Sequence, residues 1–142
     1  MAISDSHACT SAVISGKITP DRRPLLWKQR DTSSLHNSVS YFSGEKYNFI
    51  AVVNSDTSTP AEVWTGTNSA GFSIMNTQSY NLEEVENEED RGMTNGKVMY
   101  RALEICATVA DFKTFLDPIT KPSMIEANFG VSFNHAWLCY GV

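Results

Sequence analysis

Three cysteines (Cys9, Cys106, Cys139) and three histidines (His7, His36, His135) are the residues of this sequence with nucleophilic or soft-ligand chemistry. A thiolate attacks carbonyl carbon and binds soft metals. The spacing excludes much of this. There is no Cys-x-x-Cys and no His-x-x-x-His, so a zinc site has no seed. Three scattered cysteines do not make a disulfide scaffold. Ser6-His7-Ala8 sets small residues at the third and first positions before Cys9, the spacing that signal peptidase reads. Residues 1–8 are polar, lack the apolar run of a secretory signal, and read as a leader segment. No Leu stands at the lipobox position, which argues against a lipid on Cys9. From residue type alone Cys9 reads as a small buried strand residue, the commoner fate of a free cysteine, ahead of a nucleophile. Cys106 recurs with Val98, Ala102 and Ile105 at helical spacing and reads as core. Cys139 reads as packing.

Composition narrows the function classes. With 16 Asp+Glu against 11 Lys+Arg the net charge is -5, so the broad basic face of a nucleic-acid binder is not expected. Hydrophobic residues at 42% supply a core for one domain of 142 residues. No stretch approaches the roughly 20 apolar residues of a membrane-spanning helix. The run 83–90 (EEVENEED) reads as a solvated loop or helix start.

The elements that must carry these residues follow from pattern. Residues 9–18 read as a strand, 19–24 (TPDRRP) as a turn, and 25–29 (LLWKQ) as the returning strand. The Ser- and Asn-rich stretch 31–44 reads as a loop, 46–54 as a strand and 56–60 as a turn. Residues 61–67 and 71–76 form a second hairpin through 68–71, with Gly66 and Gly71 supplying positive φ. Residues 95–107 have helical spacing. Thr108 is an N-cap with Asp111 three residues on, opening a helix whose apolar face is Phe112, Phe115 and Leu116 and which Pro118 and Pro122 end. Residues 124–133 return to strand character. The expected class is α+β, mainly antiparallel sheets with two helices, in one domain over 9–142.

Four landmarks in order resemble one family: Cys9-Thr10-Ser11-Ala12; residues 25–32 (LLWKQRDT); residues 62–76 (EVWTGTNSAGFSIMN); and Ala127-Asn128-Phe129-Gly130-Val131. Together they resemble the N-terminal-nucleophile (Ntn) cysteine hydrolases. Within them the chain is most similar to the acyl-coenzyme A:6-aminopenicillanic-acid acyltransferase-like peptidase group. That resemblance implies an αββα sandwich, here partial. It implies an autoprocessed amidohydrolase or acyltransferase for a small-molecule amide or acyl substrate, with no cofactor and no metal. It assigns Cys9 as nucleophile, its own α-amine as base, Asp31 as the carboxylate that orients the amine, and Asn128 as an oxyanion donor. It places Asn76 in the pocket with Lys28 and Trp64. At strand positions Trp27 and Trp64 read as core or as pocket lining. The chemistry is sound on its own terms: an α-amine titrates near 8 and a thiol near 8.5, so one residue supplies base and nucleophile without histidine.

The resemblance has departures. Eight residues precede Cys9, and the amine serves as base only once they are removed. Relatives carry Arg where this chain has Lys28, a point charge instead of a planar fork. Arg30 is expected on the strand face opposite Asp31. Relatives are longer, which implies a truncated sandwich with exposed sheet edges and a homo-oligomer, or a silent fragment of such an enzyme. Members are often exported; the sequence leaves the compartment open.

Overall fold

The computed structural model describes residues 10–32, 34–55, 62–78, 94–117 and 136–141. Two antiparallel sheets and two helices form an α+β fold. The first sheet is a hairpin of β1 (Thr10–Ile14) and β2 (Leu25–Gln29), in register from Thr10↔Gln29 to Ile14↔Leu25. The second has five strands in chain order: β3 (Asn37–Phe42), β4 (Phe49–Asn54), β5 (Val63–Asn68), β6 (Ser73–Gln78) and β7 (Ala136–Gly141). Helix α1 (Asn95–Ile105) and helix α2 (Val109–Leu116) follow β6 in the chain.

Alternation decides the layers. Phe49, Ala51 and Val53 of β4 are buried with Ile74 of β6 and Val98, Met99, Ala102 and Leu103 of α1. Each such large side chain contributes about 1.5–3 kcal/mol on leaving water. Gly66 lies on this face: a Cβ there would come 2.6 Å from Leu103 Cδ1 and 3.0 Å from Ala51 Cβ. Its glycine serves close helix–sheet packing, not the positive φ expected; that role belongs to Gly71, at φ 89° in the β5–β6 turn. Met75, of opposite parity, is fully buried on the other face, where Ser73 and the β1–β2 hairpin share a cleft. The order is helices, five-stranded sheet, hairpin.

Asn68 ties the helix end to the sheet. Its side-chain amide donates to the Leu103 and Cys106 carbonyls at 2.9 and 2.7 Å. Its Oδ1 accepts from the backbone N–H groups of Ala70 and Phe72. The Glu104 carbonyl accepts from the N–H groups of Lys46 and Tyr47. The last carbonyls of α1, which a helix leaves without partners, are thus satisfied from β5 and the β3–β4 loop. Phe42, Phe49 and Tyr100 meet at centroid distances of 4.9–5.4 Å and fasten β3 and β4 to α1.

The two-helix expectation stands, with the first helix ending at Ile105 rather than 107 and capped by Thr94. The Thr108–Asp111 capping box is formed. Backbone N–H groups of Ala107 and Thr108 both reach Asp111 Oδ2, and these bonds, that of Ala107 first, hold its carboxyl below the usual range. Three expectations are corrected. Residues 31–44 contain β3, because Ser38-Val39-Ser40-Tyr41 alternates and pairs with β4 over its whole length. Residues 137–141, assigned no element by pattern, belong to β7, paired with β6 from Ser73↔Gly141 to Gln78↔Ala136. Trp27 is 48% exposed, not core, because it has the outward parity of the hairpin. The turn at 56–60, the acidic run 83–90 and the strand at 124–133 lie outside the described residues.

Asn68→Asp tests the helix tie, since it keeps the acceptor and turns the donor side into an acceptor facing two carbonyls. Urea denaturation at pH 7 is expected to show a loss of about 2–4 kcal/mol. The folded state then holds the new carboxyl's proton more tightly than the unfolded chain, so its folded pKa is raised. The deficit shrinks as pH falls through that raised pKa and returns above it.

Candidate functional site

Strand β2 alternates exposed and half-buried residues, and Leu26 and Lys28 have the inward parity. The Lys28 stem lies under the hairpin, and its ammonium reaches three oxygens of the five-stranded sheet. These are Trp64 O at 3.1 Å, Asn76 O at 2.6 Å and Asn76 Oδ1 at 2.6 Å. The β5–β6 ladder runs from Thr67↔Ser73 to Thr65↔Met75. The next carbonyls along each strand are those that Lys28 takes. A primary ammonium, with three donors and no fixed fork, suits three acceptors that are not coplanar.

Trp64 owes its position to a bulge. Val52 pairs with Thr65 and Val53 with Val63, so Trp64 is the extra residue. Its indole Nε1 donates to Asn54 Oδ1 at 3.0 Å. The Arg30 guanidinium stacks on its ring with Cζ 4.6 Å from the centroid, and Arg30 Nη1 donates to Asn37 Oδ1. Asn76 is buried in β6, with Oδ1 fixed on the ammonium, so the Nδ2 side of its amide is turned away from Lys28.

The structure therefore brings Lys28, Trp64 and Asn76 into one cluster at the end of the hairpin where Thr10 pairs with Gln29. Asp31 follows two residues after β2 ends and is exposed. Cys9 and Asn128 lie outside the described residues. Sequence reasoning placed Arg30 on the face opposite Asp31 without giving it a role in the site, and passed over Asn54. The parity of Leu26 and Lys28 extends to residue 30 and was the available signal for Arg30; Asn54 had none. Among the described residues no three His, Cys, Asp or Glu side chains converge as a metal ion would need. No helix among them is long and apolar enough to cross a membrane.

A cleft of about 420 Å³ opens at the other end of the hairpin, lined by Val13, Ile14, Pro24, Leu25 and Leu26 with Gly71 and Ser73 of the β5–β6 region. Among the described residues its lining has no titratable side chain. Cys106 is in the core, as its helical spacing predicts. Burial first, then the Asp111 charge, pushes its thiol up to about 11. Comparison with known protein families, with curated proteins and with solved structures finds no match for this chain.

Lys28→Met keeps the stem and removes the donors, leaving Asn76 Oδ1 and two carbonyls facing an apolar tip. A loss of about 1–3 kcal/mol is expected in chemical denaturation, with faster hydrogen exchange at the amides of β1 and β2 than at those of β4. Lys28→Arg should recover only part of it, since a planar fork does not match these acceptors.

Cys106 should resist iodoacetamide at pH 8 in the folded chain and react on unfolding, as mass spectrometry would show. Its folded pKa is above the unfolded value of roughly 8.5. Between that value and about 11 the folded state binds more protons, so stability falls as pH rises through the window.

Proposed function

We propose that the chain is an amidohydrolase or acyltransferase of the Ntn class, acting on a small-molecule or small-peptide amide through a cysteinyl thioester at Cys9. The observation that supports this reading is the convergence of Lys28, Trp64 and Asn76, distant in sequence, at the hairpin end where β1 starts one residue after Cys9. The helix–sheet–hairpin order is three of the four layers of an αββα sandwich, and the proposal extends to that architecture.

In this mechanism the residues ahead of Cys9 are removed, and its α-amine becomes free. An α-amine titrating near 8 is partly unprotonated at neutral pH and takes the proton of the Cys9 thiol. The thiolate sulfur bonds to the amide carbon, and the carbonyl electron pair moves onto oxygen. Asn128 donates to that oxyanion, a contribution of about 2.7–4 kcal/mol for one well-placed donor. The C–N bond then breaks, and the leaving amine carries off the proton held by the α-ammonium. Water or a second amine attacks the thioester, returns the thiol and releases the acid or the transferred amide. Asp31 holds the ammonium form in place. Lys28 acts as a positioning residue: it fixes Asn76 and joins the nucleophile's hairpin to the pocket strands.

The test combines intact-mass analysis with labelling by a thiol-directed acyl probe. A mature form starting at Cys9, labelled there and not at Cys106, is expected. Cys9→Ala should abolish labelling, and Asp31→Asn should slow turnover on the order of 10²–10⁴-fold. An active preparation whose only N-terminus lies ahead of Cys9 would overturn the amine-as-base mechanism.

A further inference from the structure

The cleft between the hairpin and the five-stranded sheet lies at the end of the hairpin away from Lys28. Its volume of about 420 Å³ falls within the roughly 300–1,000 Å³ of ligand pockets. Val13 and Leu26 are direct cross-strand partners, so their side chains share one face of the hairpin. It is the inward face, the same one that carries Lys28 two residues further along β2. Leu26 is half-buried there, yet Val13 is 60% exposed. An inward apolar residue stays this open because the two sheets part at this end. Across the gap stand Gly71 and Ser73, and the Ser73 hydroxyl already shares a hydrogen bond with Thr67 Oγ1 at 2.8 Å.

The rim differs from the lining. The turn that continues the cleft wall, residues 15–24 (SGKITPDRRP), carries Lys17, Arg22 and Arg23 against the single acid Asp21. Arg23 is paired with Asp21 at 2.6 Å, and among the described residues Lys17 and Arg22 form no ion pair. Both cations are tied by backbone to residues of the wall. The Lys17 N–H donates to Ser15 Oγ at 3.2 Å. A Cβ on Gly16 would come 2.3 Å from the Arg22 carbonyl oxygen, so Arg22 sits directly against Gly16. Ser15 and Gly16 both line the cleft. Thr19 Oγ1 donates to the Gly16 and Arg23 carbonyls, and the Arg22 N–H donates to the Thr19 carbonyl. Arg22 is held at φ 60°, a left-handed conformation uncommon for a residue with a Cβ. The turn is therefore ordered before any ligand arrives, which lowers the cost of binding. The β5–β6 turn on the far side, residues 68–71 (NSAG), brings no carboxylate.

We propose that this cleft binds a linear aliphatic anion of the size of a medium-chain carboxylate. Its chain lies between Val13 and Leu26 on one side and Gly71 and Ser73 on the other, and its head meets Lys17 and Arg22. Charge selects the head: these two cations stand together in a chain whose net charge is -5. A polyanion would find no further cations beside them in the lining. Volume selects the chain: with about 30 Å³ for a water-sized group, the cleft takes roughly eight to ten methylenes with its head still at the rim. The site is separate from the Lys28 cluster and does not depend on the Cys9 reaction.

Isothermal titration calorimetry of the full chain with hexanoate, octanoate and decanoate at pH 7 tests this. Affinity is expected to rise about fourfold per added methylene, the equivalent of about 0.8 kcal/mol. Amide shifts in nitrogen-15 spectra should cluster at Val13, Leu26, Gly71 and Ser73. Lys17→Gln with Arg22→Asn removes both charges, and asparagine tolerates the left-handed backbone at position 22. This double variant should bind decanoate on the order of fivefold more weakly and bind decanol as the parent does. Val13→Asp, at an exposed position, should weaken decanoate on the order of tenfold with an unchanged far-ultraviolet circular dichroism spectrum. Affinity that does not grow with chain length overturns the proposal. So do shifts centred elsewhere, a double variant that binds decanoate as the parent does, or decanol that binds the parent as tightly as decanoate. None of these measurements reads turnover, so they stand or fall apart from the acyl-transfer reading.

Discussion

The ammonium of Lys28 stands where two sheets meet and gives each its position relative to the other. It reaches the Trp64 carbonyl and both oxygens of Asn76 just past the last β5–β6 pair. A half-buried charge is tolerated only when polar groups replace its lost water. Two backbone carbonyls and a side-chain amide oxygen do that here. The hairpin is short and many of its large apolar residues are exposed, so apolar burial alone anchors it weakly. The polar tie supplies what the hydrophobic contact lacks, and it is directional. It fixes the hairpin's place along the sheet and with it the start of β1.

A second polar device does the same on the other face. Asn68 is buried at the end of β5 and serves two helix carbonyls and two turn amides. The apolar core between sheet and helices is non-directional and would accept α1 at more than one offset. Two hydrogen bonds from the Asn68 amide, itself held by the N–H groups of Ala70 and Phe72, select a single offset, and Gly66 permits it by leaving room for Leu103. Asn68 on the helix side and Lys28 on the hairpin side each carry several of the polar bonds that fasten their layer to the central sheet.

The two faces differ in completeness. The helix face is closed by the cluster from Phe49 to Phe112. Among the described residues the other is covered over β5 and β6, and Val39, Tyr41 and Ile50 are exposed. The Lys28 cluster at the hairpin end and the exposed residues of β3 and β4 occupy different regions of the molecule. Arg30, which reaches from the stacked Trp64 ring to Asn37 at the start of β3, is the contact between them.

Local signals sufficed where one element answers to its own residues. The capping box at Thr108 and Asp111, the apolar spacing of α1, the turn before β2 and the left-handed Gly71 were legible because each is settled within a few positions. Lys28, Trp64 and Asn76 were named only through a resemblance of their surrounding sequence; that they meet in one cluster is a finding of the tertiary structure. Tertiary structure decided the rest. β3 and β7 are strands because neighbours supply their ladders, although Ser-rich and terminal sequence carries weak propensity of its own. Trp27 is exposed and Trp64 half-buried, although both sit in strands; what separates them is which side of the hairpin and which bulge they belong to. That three oxygens of Trp64 and Asn76, 36 and 48 positions from Lys28, share its ammonium is a property of two sheets in contact. No window of sequence contains it, because the energy that selects it comes from groups brought together only when the layers close.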